Sequence, residues 1–507
     1  MFEQDETSLL FGFLGNRQVF YSGPGGAVLI AGARSGKLRD VLAYNICAGI
    51  HPGSMLLLDV KGELAAISRD QTPDRKHCIY WNPRGLHGFT RHRINPLDYI
   101  RADSSTLHAD VKVFVENMIP LSGSTQSEYF ELRAREYLES ICLTAVQLYG
   151  VLTFPELYRI INLIPGGGDD WLDFAYEMHR SGIPLAMRVE QEIAEGRNDS
   201  GGGQRGIFGE LFKSIAALSD PELMASVSPP FNFSLSDLCR SDQMHNLYLM
   251  PPAEMIEGWG AVIKSIFVAA MLYKSRAPSA PRQTWVIDEA AQLKKFPLLV
   301  SLYSIGAGLG IRPLAVFQST QQMKALGPDA DTIIMASAAL RCFFGVRDIE
   351  TATTVSRMSG AQTLEYIDSA QLARADHAKR QMIHAMLSGG DSIAASLQAR
   401  QQIAQAQIPQ KQQRNLITAD EVMTLSGKAI IFADNLPGPG ILDRWAYYDQ
   451  RFMAGRFHPN PHHPPADRVR VKRRFGHSWK RVIAEPVPPA FATYPQYSNG
   501  YWSRIED

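Results

Sequence analysis

A glycine-spaced loop that closes on Gly-Lys directly after an apolar run constrains this chain more than any other feature. Ala27-Val28-Leu29-Ile30 leads into Ala31-Gly32-Ala33-Arg34-Ser35-Gly36-Lys37. Small residues let backbone N–H groups turn inward around phosphate oxygens, and the lysine adds a point charge. The helix expected over Arg39 to Ile50 aims its N-terminal dipole at the same anion. A strand, loop and helix in this order belong to an α/β fold with a parallel sheet. One position departs from the pattern: Leu38 stands where a Ser or Thr hydroxyl ordinarily reaches Mg²⁺. Ala33, Arg34, Ser35, Gly36, Lys37 and Leu38 form the candidate cofactor-binding stretch. The plainer alternative is a chance turn between a strand and a helix.

A phosphate loop needs a partner strand that carries acids, and Trp285-Val286-Ile287-Asp288-Glu289 supplies one. Asp288 is placed to hold Mg²⁺, directly or through water, and Glu289 to orient and polarise an attacking water. A strand that merely ends in two solvated acids is the competing reading. Gln318 closes the following apolar run, Leu314-Ala315-Val316-Phe317. In RecA-type motors a polar residue at that strand end sits beside the γ-phosphate and reports its presence. Three such features at three strand ends, in the right order, are harder to produce by chance than any one alone.

Short apolar runs without alternation recur at Ala27–Ile30, Met55–Asp59, Cys78–Trp81, Asn246–Met250, Thr284–Asp288, Arg312–Phe317 and Arg341–Gly345. They read as central strands of a sheet covered on both faces. From 102 to 243 the texture is helical: Phe130, Ala134, Tyr137, Ile141, Ala145 and Leu148 recur at helical spacing, with further helices expected at Phe154–Leu163, Trp171–His179 and Leu185–Ala194. The expected organisation is a RecA-like P-loop core with a mostly parallel sheet, in two parts (1–101 and 244–450). An all-α domain is inserted at 102–243, and a basic, loosely structured tail follows at 451–507. The insertion explains why Lys37 and Asp288 lie so far apart along the chain. The Gln-, Ala- and Ser-rich stretch from His384 to Asn415 reads as a helix with flexible ends or as a solvated linker.

The formal charge is zero, so composition announces no nucleic-acid partner, and any such surface must come from local segregation. The cysteines Cys47, Cys78, Cys142, Cys239 and Cys342 contain no C-x-x-C pair, which argues against a disulfide framework or zinc site. No run approaches the ~20 apolar residues that span a bilayer, and the acidic N-terminus lacks the basic start of a signal peptide.

The chain resembles the type IV secretion coupling proteins, the TraG/TraD-like conjugation ATPases. Ala33-Arg34-Ser35-Gly36-Lys37 resembles their Walker A segment, and Gly53-Ser54-Met55 through Asp59-Val60-Lys61-Gly62-Glu63 their G-S…D-x-K-G-E strand and turn. Tyr80-Trp81-Asn82-Pro83 and Ile94-Asn95-Pro96-Leu97-Asp98 are similar to two N-P signatures, and Tyr129-Phe130 through Arg133-Ala134-Arg135 to the start of the all-α domain. Asp288 to Leu293 is similar to the family's Walker B, Phe317-Gln318-Ser319 with Gln321 to its glutamine motif, and Arg414 to Val422 with Tyr447-Tyr448 to its closing strands. The resemblance, from about Leu14 to Gln450, implies ATP and Mg²⁺ as cofactors and assembly into a homo-oligomeric, hexameric ring. It also implies delivery of DNA or protein substrates to a secretion machine, with type IV secretion membrane subunits and a substrate adaptor, relaxase or effector as partners. Family members usually begin with a transmembrane anchor. The expectation here is a cytoplasmic protein held at the inner membrane by a partner, or one that works unanchored.

Arg347, in Gly345-Val346-Arg347-Asp348, is the first candidate for an arginine finger that completes a neighbour's site, and Arg341 the second. A surface arginine paired with Asp348 or Glu350 is the competing reading. Asp59 and Glu63 could contact Lys61 or the metal's water shell, or simply stabilise a turn. Lys472-Arg473-Arg474 is the densest basic point and a candidate for DNA phosphates. His458, His462 and His463 lack a Cys or acid at ligand spacing, and Trp171, Trp259 and Trp285 read as core. Two other functions fit the motifs: a soluble DNA translocase of the FtsK/HerA kind, and a nucleotide-binding adaptor that does not hydrolyse, which Leu38 favours.

Overall fold

The computed structural model describes residues 8–47, 53–69, 76–123, 125–196, 203–366, 369–389, 391–406, 410–453, 456–462, 467–493 and 500–506. Nine strands come first: β1 (Leu9–Leu14), β2 (Arg17–Tyr21), β3 (Ala27–Ala31), β4 (Met55–Leu58), β5 (Lys76–Trp81), β6 (Met244–Leu249), β7 (Gln283–Ile287), β8 (Ile311–Phe317) and β9 (Leu340–Phe344). A separate two-stranded ladder follows, β10 (Ala361–Tyr366) with β11 (Gln410–Asn415), and then β12 (Lys428–Ala433) and β13 (Gly440–Asp443) rejoin the first sheet.

That sheet has eleven strands in the order β2-β1-β13-β12-β9-β3-β8-β7-β4-β6-β5. From β9 to β5 every pairing is parallel, and β12 turns antiparallel beside β9. All five residues of β3 are buried, as expected of an unalternating apolar run between two parallel neighbours. The mostly parallel RecA-like sheet read from the sequence is therefore present, and all seven expected runs lie in it. β8 separates β3 from β7, so the ends of three adjacent strands present the loop after β3, the polar residue after β8 and the acids after β7.

Contacts divide the chain into two units: residues 346–426 with 436–439 form the second, and the other described residues form the first. The all-α insertion expected at 102–243 falls in the same unit as the sheet. Helices do fill the interval between β5 and β6, with the longest at Thr125–Tyr149, where Ala134, Tyr137, Ile141 and Ala145 are buried. They nevertheless group with the sheet, because they are tied to it at several points. Ile94 N–H donates to the Ser226 carbonyl and Leu152 N–H to the Ile100 carbonyl. Buried Asp110 on the helix Leu107–Met118 pairs with Arg276 at the end of the helix Gly260–Arg276. The second unit falls inside the segment expected to be one continuous half of the core. Its helices Ser369–Ser388 and Ser392–Ala406 pack side by side where the composition suggested one helix or a linker; residues 390 and 407–409 lie outside the described residues.

The closing strands also differ from the motifs that suggested them. Ala419–Thr424 is a helix capped by Thr418, whose hydroxyl accepts the Glu421 N–H while Glu421 accepts the Thr418 N–H. Tyr447–Asp449 is a single 3₁₀ turn. The strands that close the sheet, β12 and β13, lie between these two motifs.

The expected loose tail is the largest correction. Its described residues include β14 (Arg468–Lys472), β15 (His477–Pro486) and β16 (Tyr501–Ile505), which form an antiparallel sheet. Arg468-Val469-Arg470-Val471-Lys472 alternates with period two, and the valines enter a core cluster with Leu10, Phe13, Tyr44, Cys47, Tyr447 and Phe457. Phe13 stacks on Trp445 at 4.9 Å between centroids, and Tyr44 on Phe452 at 5.8 Å. Burying a side chain of this size stabilises by about 1.5–3 kcal/mol, enough to order a segment whose charge disguised its pattern. Among the described residues no helix is long and apolar enough to cross a membrane.

Candidate nucleotide site

The loop after β3 is shaped by two left-handed residues, Arg34 at φ 57° and Gly36 at φ 94°. Only glycine adopts this region freely, so the arginine there marks a backbone held by its surroundings. Ser35 N–H donates to the Gly32 carbonyl and Gly32 N–H to the Phe344 carbonyl at the end of β9. Gly345, itself at φ 57°, permits that approach: a Cβ there would come within 2.4 Å of the Ser35 Cβ. The Ser35 hydroxyl is buried and has no hydrogen-bond partner, as expected of a polar group meant for a ligand. The helix expected at Arg39–Ile50 begins at Leu38 as a wide turn to Leu42 and is α-helical over Ala43–Ile46. Residues 48–50 lie outside the described residues.

Lys37 and the acids after β7 meet despite the 252 positions between Lys37 and Glu289. Lys37 Nζ lies 2.7 Å from Asp288 Oδ1 and 2.5 Å from Glu289 Oε1. Gln318 Nε2 donates to Glu289 Oε2 at 3.1 Å, so all three expected strand ends join one network. Glu289 has φ 53°, a strained conformation for a residue other than glycine, and its N–H donates to Asp288 Oδ1 at 3.1 Å. Burial works against the charge on Lys37, but the two acids outweigh it and its pKa is raised. Burial also pushes Asp288 up, further than Lys37 draws it down. At Glu289 burial is outweighed by Lys37 and Gln318, and the pKa is lowered. The lysine thus stays charged and Glu289 ionised.

Asp59 lies at the end of β4 and is only 2% exposed. Its Oδ2 accepts the Ala65 N–H at 2.8 Å, and Gly62 makes the turn at φ 67°, which is the turn-stabilising alternative. Burial, with the negative charge of Asp288 nearby, pushes its pKa up to about 7. A carboxyl raised on folding contributes stability that is complete below its unfolded pKa and is lost as pH rises through the folded value. Asp59→Asn keeps an acceptor but cannot ionise. Its melting temperature is therefore expected to rise relative to the unaltered protein between pH 6 and pH 8. The expected gain is about 1.4 kcal/mol, the worth of one pKa unit. A difference that stays constant across this range in thermal unfolding would refute the assignment.

Leu38 packs against the aromatic cluster shared with the C-terminal strands while lining the cleft beside the loop. Arg341, the second arginine-finger candidate, is held by the Met335 carbonyl at 3.1 Å and by Asp434 at 3.8 Å. Arg347 is exposed and lies in the second unit. Trp171, Trp259 and Trp285 are buried. His458 is buried too, and burial with the nearby Arg69 pushes its pKa down to about 3, so it is a neutral part of the cleft wall. His463 lies outside the described residues. No three His, Cys, Asp or Glu side chains gather as a metal-binding group among the described residues.

Two supports escaped the sequence. Asp40 is fully buried and pairs with Arg39 at 2.6 Å and Arg444 at 2.7 Å. Arg444 also donates to the Ser35 carbonyl at 2.8 Å and lies over the Phe344 ring at 4.2 Å, clamping the loop from behind. The second is the cleft's far wall. Phe457, His458, Asn460, His462, Arg468, Arg470 and Trp479 face the same cleft as Lys37 and Gln318. The alternation in 468–472 was the available signal for that wall; nothing local marked Arg444.

The family profile described as "Type IV secretory system Conjugative DNA transfer" matches residues 13–466. No curated protein sequence matches the chain. Among solved structures, the chain is similar to the unbound bacterial conjugative coupling protein TrwBdeltaN70, with TM-score 0.59 and 15% identity over 87% of this chain and 89% of that one. It is also similar to the plasmid coupling protein TrwB with ADP and Mg²⁺ (TM-score 0.54, 17% identity, 83% and 86% covered). The complex of TrwB with the GTP analogue GDPNP gives TM-score 0.55 and 16% identity over 83% and 86%.

Proposed function

Because this chain belongs to the type IV secretory system conjugative DNA transfer family, we propose that it delivers DNA to a type IV secretion system as an ATP-driven motor. The observation that carries the motor reading is the junction of Lys37 with Asp288, Glu289 and Gln318. Lys37 leaves the acids for the β- and γ-phosphates, the backbone of 33–36 cradles them, and Glu289, released from the lysine, orients a water. Gln318, bonded to Glu289, links the state of the γ-phosphate to that carboxylate. Asp288, with phosphate oxygens and waters in place of the missing Leu38 hydroxyl, would hold Mg²⁺, which supplies positive charge to the phosphoryl group. TrwB has been captured with ADP and Mg²⁺ and with ADPNP, which supports the same cofactors here.

The active form is a hexameric ring in which exposed Arg347 reaches a neighbour's γ-phosphate. Membrane subunits of the secretion machine hold it at the inner membrane, and an adaptor, relaxase or effector brings the cargo. Lys472, Arg473 and Arg474, exposed at the turn between β14 and β15, suit contact with DNA phosphates.

Lys37→Ala is expected to abolish nucleotide binding and turnover in the presence of DNA. If the unaltered protein binds ATP but turns over no faster than Lys37→Ala, the motor reading fails. The packing of Leu38 into the aromatic cluster favours one alternative, a nucleotide-gated adaptor, and that outcome would select it.

A further inference from the structure

The geometry points to a nucleoside-binding wall on the C-terminal sheet: Trp479 and Arg470 hold the base and ribose of the nucleotide whose phosphates the loop at 32–37 takes. The inference rests on the nucleotide-binding reading above. The cleft has a volume of about 1020 Å³, far more than phosphates need and on the scale of pockets that enclose whole small molecules. Its loop side is cationic and rich in N–H groups. Its opposite side is aromatic.

Arg470 and Trp479 are partners in the β14–β15 ladder, so both side chains stand on the same face of the ribbon. Val469 and Val471 turn to the other face and enter the core. The Arg470 guanidinium is fixed, 5.6 Å above the Tyr448 ring, 3.1 Å from His477 Nδ1 and 3.7 Å from Asp449 Oδ1. Trp479, by contrast, is 54% exposed. An open indole beside a fixed arginine, across a cleft from a phosphate loop, has the groups that hold a nucleobase: a flat π face and a cation.

A second observation ties the wall to the loop. Leu38, where a metal-binding hydroxyl is usual, packs instead on the cluster that holds the base of β14. The loop and the sheet are therefore fitted to each other. β14 begins at Arg468, just past the residues that the family profile matches. Stacking uses the face that every base has. The wall thus separates a nucleotide from bare phosphate without choosing between adenine and guanine.

Calorimetric titration of the full chain with ADP and with inorganic tripolyphosphate tests this. Trp479→Ala is expected to weaken ADP about tenfold and to leave tripolyphosphate unchanged, while Trp479→Phe retains ADP affinity. Trp479→Leu, which keeps apolar bulk without the π face, is expected to weaken ADP as the alanine variant does. Lys37→Ala is expected to weaken both ligands. If Lys37→Ala weakens both but Trp479→Ala and Trp479→Leu leave ADP unchanged, the wall falls and the nucleotide reading stands. Equal weakening of both ligands by the Trp479 variants also overturns the wall, because the effect then lies on the loop. If Lys37→Ala changes neither ligand, the nucleotide reading itself is lost.

Discussion

Glu289→Gln is expected to bind ATP about as tightly as the unaltered protein and to hydrolyse it about 10²–10⁴-fold more slowly. The amide has the shape of the carboxylate and can still bond Gln318, which now reaches Glu289 Oε2 at 3.1 Å. What it loses is the negative charge that orients and polarises water. It also loses an ion pair with Lys37 at 2.5 Å, which competes with phosphate for the lysine. Removing that competitor offsets any loss of fit, so affinity holds while chemistry stops. Single-turnover hydrolysis with DNA present, beside equilibrium binding of ATP, separates the two effects. A variant that hydrolyses as fast as the unaltered protein would remove Glu289 from the chemistry.

Arg444→Ala is expected to destabilise the first unit by about 3 kcal/mol. Asp40 is completely buried, and taking away one of its two guanidinium partners leaves that charge poorly compensated. The same substitution deprives the Ser35 carbonyl of a donor at 2.8 Å and the Phe344 ring of its cation at 4.2 Å. Because Ser35 belongs to the phosphate loop, nucleotide affinity is expected to fall with stability. Arg444→Lys restores the charge but not the planar fork that serves two acceptors while stacked on a ring, so it recovers only part of either loss. Urea unfolding followed at constant slope gives the stability change. An unchanged midpoint for the alanine variant would show that Arg39 alone compensates Asp40.

The sequence revealed the strand ends that meet at Lys37 because each is a local event. An apolar run followed by Gly-Lys, by Asp-Glu or by Gln needs only neighbours along the chain to be recognised, and Lys37, Asp288, Glu289 and Gln318 do meet. The supports are non-local. Arg444 lies far along the chain from the loop it clamps, within a segment without a motif. The C-terminal sheet was hidden for another reason: charged residues fill the outer face of β14, so net charge spoke louder than the buried valines at 469 and 471. Leu38 was legible as an anomaly, but its partner in packing was not. The second unit was lost because Gln-, Ala- and Ser-rich helices that pack on each other carry a weak periodic signal.

The order of strands in the sheet also affects biosynthesis. β3 leaves the ribosome long before its two hydrogen-bonded neighbours, β8 and β9, which begin only at Ile311 and Leu340. Trp479 follows later still. Until Leu340 has been made, a nascent chain therefore carries the loop after β3 without both of its flanking strands.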